Sequence, residues 1–225
     1  MNITVAGENA LIIYFDQAVC PAVSAKVQRA VLLLEEALAP VLVDLVPSYA
    51  SLLVVYDVFQ TDINRIRDQI RDLLQELDHV DVQDGSLVEL PVYYSLESGP
   101  DLQVIAGQTG LAVDEIIALH QAREYRVYAI GFAPGFAYLG QVDERIATPR
   151  LATPRGLVPR GAVGIADRQT AVYPAASPGG WNLIGRCPTA MFDLNATPSM
   201  PVAVGDRVRF VGVDRQEYLG LGGEL

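Results

Sequence analysis

Lysine is almost missing from this chain: Lys26 stands alone against 15 arginines. A Walker-type phosphate loop needs a lysine directly after its glycines, and Lys26 sits in a helical stretch instead, so that loop is excluded. No dinucleotide fingerprint follows a strand, and no Gly-x-Ser-x-Gly elbow occurs. Two histidines and two cysteines are too few for a zinc site of the usual kind, and no metal is expected. Cys20 and Cys187 lie far apart and fit no motif, which points to a reducing compartment. No apolar run approaches the roughly 20 residues of a membrane helix. Met1-Asn2-Ile3-Thr4 lacks the basic-then-apolar start of a signal peptide. A net charge of −11 argues against nucleic acid and anionic membrane surfaces as partners. A soluble, cytoplasmic protein is the expectation.

What is present is ample apolar material. The 225 residues are 51% hydrophobic, enough for one large or two small domains. Ile3 to Val5 and Ala10 to Phe15 read as strands. Pro21 to Leu38 carries Val23, Val27, Ala30, Val31, Leu34 and Leu38 at helical spacing. Val41 to Val46 and Leu52 to Tyr56 are strands, with Pro47-Ser48-Tyr49 turning between them. Thr61 or Asp62 caps a second helix through Leu77, Asp84-Gly85 is a turn, and Leu87 to Tyr94 is a strand. The pattern ββαββαβ predicts an α+β domain over residues 1–88, an antiparallel sheet with both helices on one face. Residues 89–225 begin with helices at Pro100 to Ala106 and Val113 to His120 and a strand from Tyr125 to Ile130. Short strands follow at 163–165, 170–173, 182–187 and 208–211, separated by Gly and Pro, as in a β-barrel or sandwich. The tail from Leu219 to Leu225 is Gly-rich and expected to fray.

Between Tyr125 and Arg186, glycines and prolines alternate with aromatics and arginines. Eight of the 15 arginines fall between Arg123 and Arg186. Gly and Pro fix backbone shapes that ordinary residues resist. Arginine forks match carboxylate and phosphate geometry. The combination predicts loops converging on a rigid, arginine-bearing pocket. A loop-rich β domain whose turns need these residues is the plainer alternative.

The blocks Gly131-Phe132-Ala133-Pro134-Gly135-Phe136-Ala137-Tyr138-Leu139-Gly140, Pro149-Arg150, Pro154-Arg155, Val158-Pro159, Gln169-Thr170, Ser177-Pro178-Gly179-Gly180-Trp181 and Ile184-Gly185-Arg186 resemble those of the allophanate hydrolase subunit 1 or KipI-like family. That family includes bacterial 5-oxoprolinase B subunits. The likeness covers nearly the whole chain, with departures at Ala162, Asp167, Ala171 and Cys187. It implies a cyclophilin-like barrel over residues 89–225. It also implies membership of an ATP-dependent 5-oxoprolinase, with magnesium alongside ATP. The implied partners are a larger, KipA-like C subunit (allophanate hydrolase subunit 2) and a LamB/YcsF-type A subunit. In that setting Arg150, Arg155 and Arg186 are expected at anions. Phe132, Phe136, Tyr138 and Trp181 would wall the site, and Gly131, Pro134, Gly135, Pro178, Gly179 and Gly180 would shape it. Gln169 and Thr170 would orient a substrate amide, and His120 would serve as general acid or base. Asp143 and Asp167 are the nearest carboxylates. The resemblance also admits a KipI-like inhibitor of a sensor histidine kinase, or a carboxyltransferase-type subunit of a urea or allophanate pathway.

Overall fold

The computed structural model describes residues 1–75, 77 and 85–225. The chain divides into two compact units, Met1–Asp84 and Gly85–Leu225. The predicted turn at Asp84 lies outside the described residues.

The first unit runs β1 (Asn2–Gly7), β2 (Ala10–Tyr14), α1 (Pro21–Leu38), β3 (Leu42–Pro47), β4 (Ser51–Tyr56) and α2 (Ile63–Leu73). Its strands form one antiparallel sheet in the order β1-β2-β4-β3. Pro21 opens α1, where a missing N–H costs nothing. Asp62 caps α2 by accepting the N–H groups of Asn64 and Arg65. Leu11 and Ile13 of β2 and Leu52, Val54 and Tyr56 of β4 alternate onto one sheet face. Val27, Ala30, Leu34 and Leu38 of α1 and Ile66 and Ile70 of α2 bury against it. Both helices therefore cover a single face.

The strand at 87–94 does not complete this sheet, as the ββαββαβ reading had it. It is β5 (Leu87–Tyr93) of the second unit, paired in parallel with β13 (Arg207–Val213) along its whole length. Local pattern identifies a strand; its partner is 120 residues away and leaves no local trace.

The second unit continues with α3 (Leu102–Thr109), α4 (Val113–Gln121), β6 (Glu124–Ile130), β7 (Ala137–Gly140), β8 (Arg155–Val158), β9 (Ala162–Ala166), β10 (Gln169–Val172), β11 (Ser177–Gly179) and β12 (Asn182–Arg186). A closing helix, α5 (Arg215–Gly220), follows β13. Seven strands close a barrel in the order β10-β7-β6-β13-β5-β12-β9. Strands β8 and β11 pair as a separate ribbon. Closure leaves the barrel itself without an open edge. Leu90, Val92, Tyr125, Val127, Leu139, Val163, Ile165, Val172, Ile184, Val208 and Phe210 point inward, and Leu102, Ile105 and Ile116 of α3 and α4 join them. The tail is better anchored than its glycines suggested. Asp214 caps α5, and Tyr218 donates its hydroxyl to the Glu224 carbonyl at 2.7 Å.

Candidate active site on the outer barrel face

Because side chains alternate along a strand, the strands that fill the barrel also have an outer face. On it Ala162 and Ala166 of β9, Ala171 of β10 and Leu183 of β12 form a second apolar cluster. Small residues here leave room for rings. Phe136 sits at the centre, edge-on to Tyr138 (4.9 Å between centroids), Phe132 (5.3 Å), Tyr173 (5.3 Å) and Trp181 (5.7 Å). These are the separations and angles at which ring edges and faces attract.

The loops reach this face because particular backbone positions require it. Gly131 donates its N–H to the Phe136 carbonyl, and Phe136 donates to Ala133, closing a tight loop between β6 and β7. Gly135 has φ +80°, and a Cβ there would collide with the Met191 carbonyl. Phe132 adopts φ +73° without being glycine. Its ring stays 66% exposed, the one large aromatic of the cluster open to solvent. On the other side, a Cβ at Gly179 would collide with the Tyr173 hydroxyl, so only glycine lets that strand approach.

Trp181 ties the arginine loops to this wall. The Arg150 guanidinium lies over its ring at 5.7 Å, a cation–π distance. Leu151 donates its N–H to the Gly180 carbonyl at 2.7 Å, and the Asn182 side chain donates to the Pro149 carbonyl at 2.8 Å. Arg150 is thus held from both sides while its own head stays exposed. Arg155 Nη1 donates to the Trp181 carbonyl at 3.3 Å, and Nη2 donates to Asp101 Oδ1. Asp101 is 5% exposed, and its Oδ2 accepts the Leu183 N–H at 2.6 Å. The expectation that Arg155 contacts a substrate anion is therefore corrected: its charge is committed to a buried carboxylate inside the fold.

Comparisons with known proteins bear on what this surface belongs to. The family description "carboxyltransferase domain, subdomain C and D" matches residues 1–202. The 5-oxoprolinase B subunit of Bacillus subtilis (strain 168) is 36% identical over 222 residues, covering 94% of this chain and 92% of that one. The chain belongs to the family of 5-oxoprolinase B subunits. The crystal structure of TTHA0988 superposes with a TM-score of 0.80 at 35% identity, over 91% of this chain. This chain spans only 40% of that longer polypeptide. The urea amidolyase of Kluyveromyces lactis gives a TM-score of 0.74 at 16% identity over 96% of this chain and 15% of its own, a likeness of fold.

In this member of the 5-oxoprolinase family, the remaining expected site residues divide sharply. Phe132, Phe136, Tyr138, Gly179, Gly180, Trp181 and Arg150 come together, with Pro134 and Pro178 exposed beside them. Gln169 shares the outer side of β10 with Ala171 and is half-buried. Thr170 points the other way, fully buried in the barrel, where its Oγ1 meets His120 Nε2 at 2.9 Å. His120 Nδ1 bonds the Tyr94 hydroxyl at 2.7 Å, and its ring stacks on Phe210. Burial pushes the imidazole pKa down to about 3. A histidine sealed from solvent and neutral at physiological pH cannot exchange protons with a substrate, which corrects its expected role. Arg186 is also apart from the aromatic wall, donating Nη1 to the Glu224 carbonyl at 2.7 Å. Asp143 is gripped by Arg145 and Arg123, whose hydrogen bonds hold its carboxyl well below the usual range. It is an ion-paired cap of the turn at Glu144–Ile146, and Asp167 is an exposed turn residue with φ +52°.

Sequence reasoning missed Asp101 and Tyr173. The Pro100-Asp101 pair reads as an ordinary helix start. Tyr173 reads as the last residue of a strand, and only the alternation along β10 could have put it beside Phe136.

The state of His120 gives a measurable pH dependence. Its folded pKa lies below the ordinary value of 6.5. The unfolded chain therefore takes up the proton first, and the stability contribution is complete above pH 6.5 and lost as pH falls toward 3. Unfolding free energy should fall by roughly 2 kcal/mol between about pH 7.5 and about pH 5 from this group alone. Urea titrations of the wild type and of His120→Asn at both pH values check this. The variant should lose correspondingly less on acidification, and equal losses would contradict the assignment.

Proposed function

We propose that this chain is a non-autonomous subunit of an ATP-dependent 5-oxoprolinase, which opens 5-oxo-L-proline to L-glutamate. The supporting observation is near-full-length similarity to a 5-oxoprolinase B subunit. The outer-face site fits a subunit that contributes part of an active site. It offers an aromatic wall, a positioned guanidinium at Arg150 and a half-buried amide at Gln169. Its two nearest acidic candidates, Asp143 and Asp167, are a paired cap and a turn residue. Among the described residues no cluster of His, Cys, Asp or Glu could hold a metal. This reading places the nucleotide and its magnesium in the assembled complex, whose other members are a larger KipA-like C subunit and a LamB/YcsF-type A subunit.

A five-membered lactam is a poor electrophile. Transfer of the γ-phosphoryl group from ATP to the lactam oxygen gives an imidate phosphate and ADP. Water then adds at that carbon and the ring C–N bond breaks, which leaves a γ-glutamyl acyl phosphate; a second water hydrolyses that acyl phosphate. The products are glutamate and inorganic phosphate. Negative charge builds on oxygen through these steps, and a guanidinium held against an aromatic wall stabilises it. Arg150 is placed for that task; Phe132 and Tyr138 exclude water once a partner covers them. A kinase-inhibitor role has no observation in its favour, and 16% identity to a urea amidolyase carries fold alone. The test is co-purification with the partner subunits, followed by ADP release with and without 5-oxoproline. The isolated chain should be inactive and the mixture active only with 5-oxoproline. ADP release indifferent to 5-oxoproline would rule the reading out.

A further inference from the structure

A cavity lies between the β8 end, the β12 end and α5. It has a volume of about 260 Å³. Leu157, Pro159 and Pro188 give it apolar walls, and Arg160 and Arg186 bring two guanidinium groups. Most arginines of this unit are paired: Arg123, Arg145, Arg155, Arg168, Arg207, Arg209 and Arg215 each meet a carboxylate. Among the described residues no carboxylate forms an ion pair with Arg160 or Arg186.

One oxygen atom shows what the cavity is built to hold. The Glu224 main-chain carbonyl accepts from Arg186 Nη1 at 2.7 Å and from the Tyr218 hydroxyl at 2.7 Å. Beneath it, Arg186 Nε is buried with no acceptor at all. A neutral carbonyl thus occupies a position where two donors converge, and it satisfies only one edge of the guanidinium. A carboxylate supplies two oxygens in the planar spacing a guanidinium fork prefers. The tail that provides the carbonyl is tightly fitted, since a Cβ at Gly223 would run into the Tyr218 ring.

We infer that this cavity is a binding site for a small monocarboxylic acid with an apolar body, and that residues Gly222–Glu224 occupy its carboxylate position when it is empty. The acid's carboxylate takes the place of the Glu224 carbonyl between Arg186 and Tyr218, with Arg160 at the rim. Its body lies against Leu157, Pro159 and Pro188. The neighbouring Glu224 side chain and the apolar walls disfavour a dianion. The inference rests on the proposed function only in the choice of one test acid, 5-oxo-L-proline, which has this shape and charge.

Calorimetric titration of the full chain with 5-oxo-L-proline, cyclopentanecarboxylate and inorganic phosphate tests it. At least one of the two acids should bind. Arg186→Gln should weaken binding by about tenfold or more, as loss of a charge-assisted contact does. Gly223→Ala should tighten it, because the added methyl group expels the competing tail, and this variant keeps every ligand-contacting side chain. Circular dichroism melts of each variant separate lost binding from lost fold. Binding of cyclopentanecarboxylate without 5-oxoproline would support the site while removing its link to the proposed reaction. Absence of acid binding in both the wild type and Gly223→Ala would overturn the inference, as would phosphate binding in preference to either acid.

Discussion

Replacing Trp181 with alanine should lower the unfolding free energy by about 4 kcal/mol. The ring is 4% exposed and packs against Phe136 and Tyr138, with Arg150 over its face. Its removal leaves a cavity that neighbours can fill only in part. Ala162, Ala166 and Ala171 beneath it are too short to reach, and Phe136 is pinned by Tyr173 from the far side. In a chain of this length the loss corresponds to a melting temperature lower by roughly 8–16 °C. Denaturant titration followed by circular dichroism suits the measurement, because this is the only tryptophan. Trp181→Phe should recover much of the loss. A cost under about 1 kcal/mol for Trp181→Ala would mean that the outer cluster is loosely packed.

Asp101→Ala should cost about 3 kcal/mol through a different mechanism. Asp101 links three pieces of chain: it starts α3, accepts the Leu183 N–H of β12, and neutralises Arg155 of β8. Its own N–H donates to the Leu183 carbonyl, so α3 is stitched to β12 from both directions. Truncation strands the Arg155 charge in a setting where its side chain is 28% exposed and leaves the Leu183 N–H without its acceptor. Asp101→Asn keeps an acceptor for Leu183 and loses only the charge, so it should cost less. In a double-mutant cycle, Arg155→Ala should be much less harmful when Asp101 is already alanine. Additive effects would show that the pair is not coupled.

These two residues also show how far a sequence can be read. The alternation of Leu11 and Ile13 and the helical spacing from Val23 to Leu38 report burial directly, so the first sheet and its helices were legible. Proline and glycine at 178–180 marked the sharp approach of β11 to Tyr173, and the blocks carrying Phe136 and Trp181 do meet. Long-range pairing was not legible: β5 reads as a strand whichever sheet receives it. Charge partnership was equally hidden. Arg150 and Arg155 sit in the same Pro-Arg context, yet one lies exposed on Trp181 and the other is tied to Asp101, 54 positions away. His120 and Thr170 flank the motif blocks, and the sequence alone leaves a site role and a structural role open for both. Strand alternation turns Thr170 inward, and its inward hydroxyl is what satisfies the buried imidazole.

In the proposed reaction, Arg150, held against Trp181 on the outer barrel face, is the charge this chain contributes to a shared active site. The direct measurement is kcat/KM for 5-oxoproline-dependent ADP release by the assembled complex carrying Arg150→Ala. It should fall by about tenfold to a hundredfold, matching loss of roughly 1.5–3 kcal/mol of charge-assisted stabilisation. Stability should change by no more than about 1 kcal/mol, the value of an exposed cation–π contact. Unchanged kcat/KM in a complex that assembles normally would contradict it.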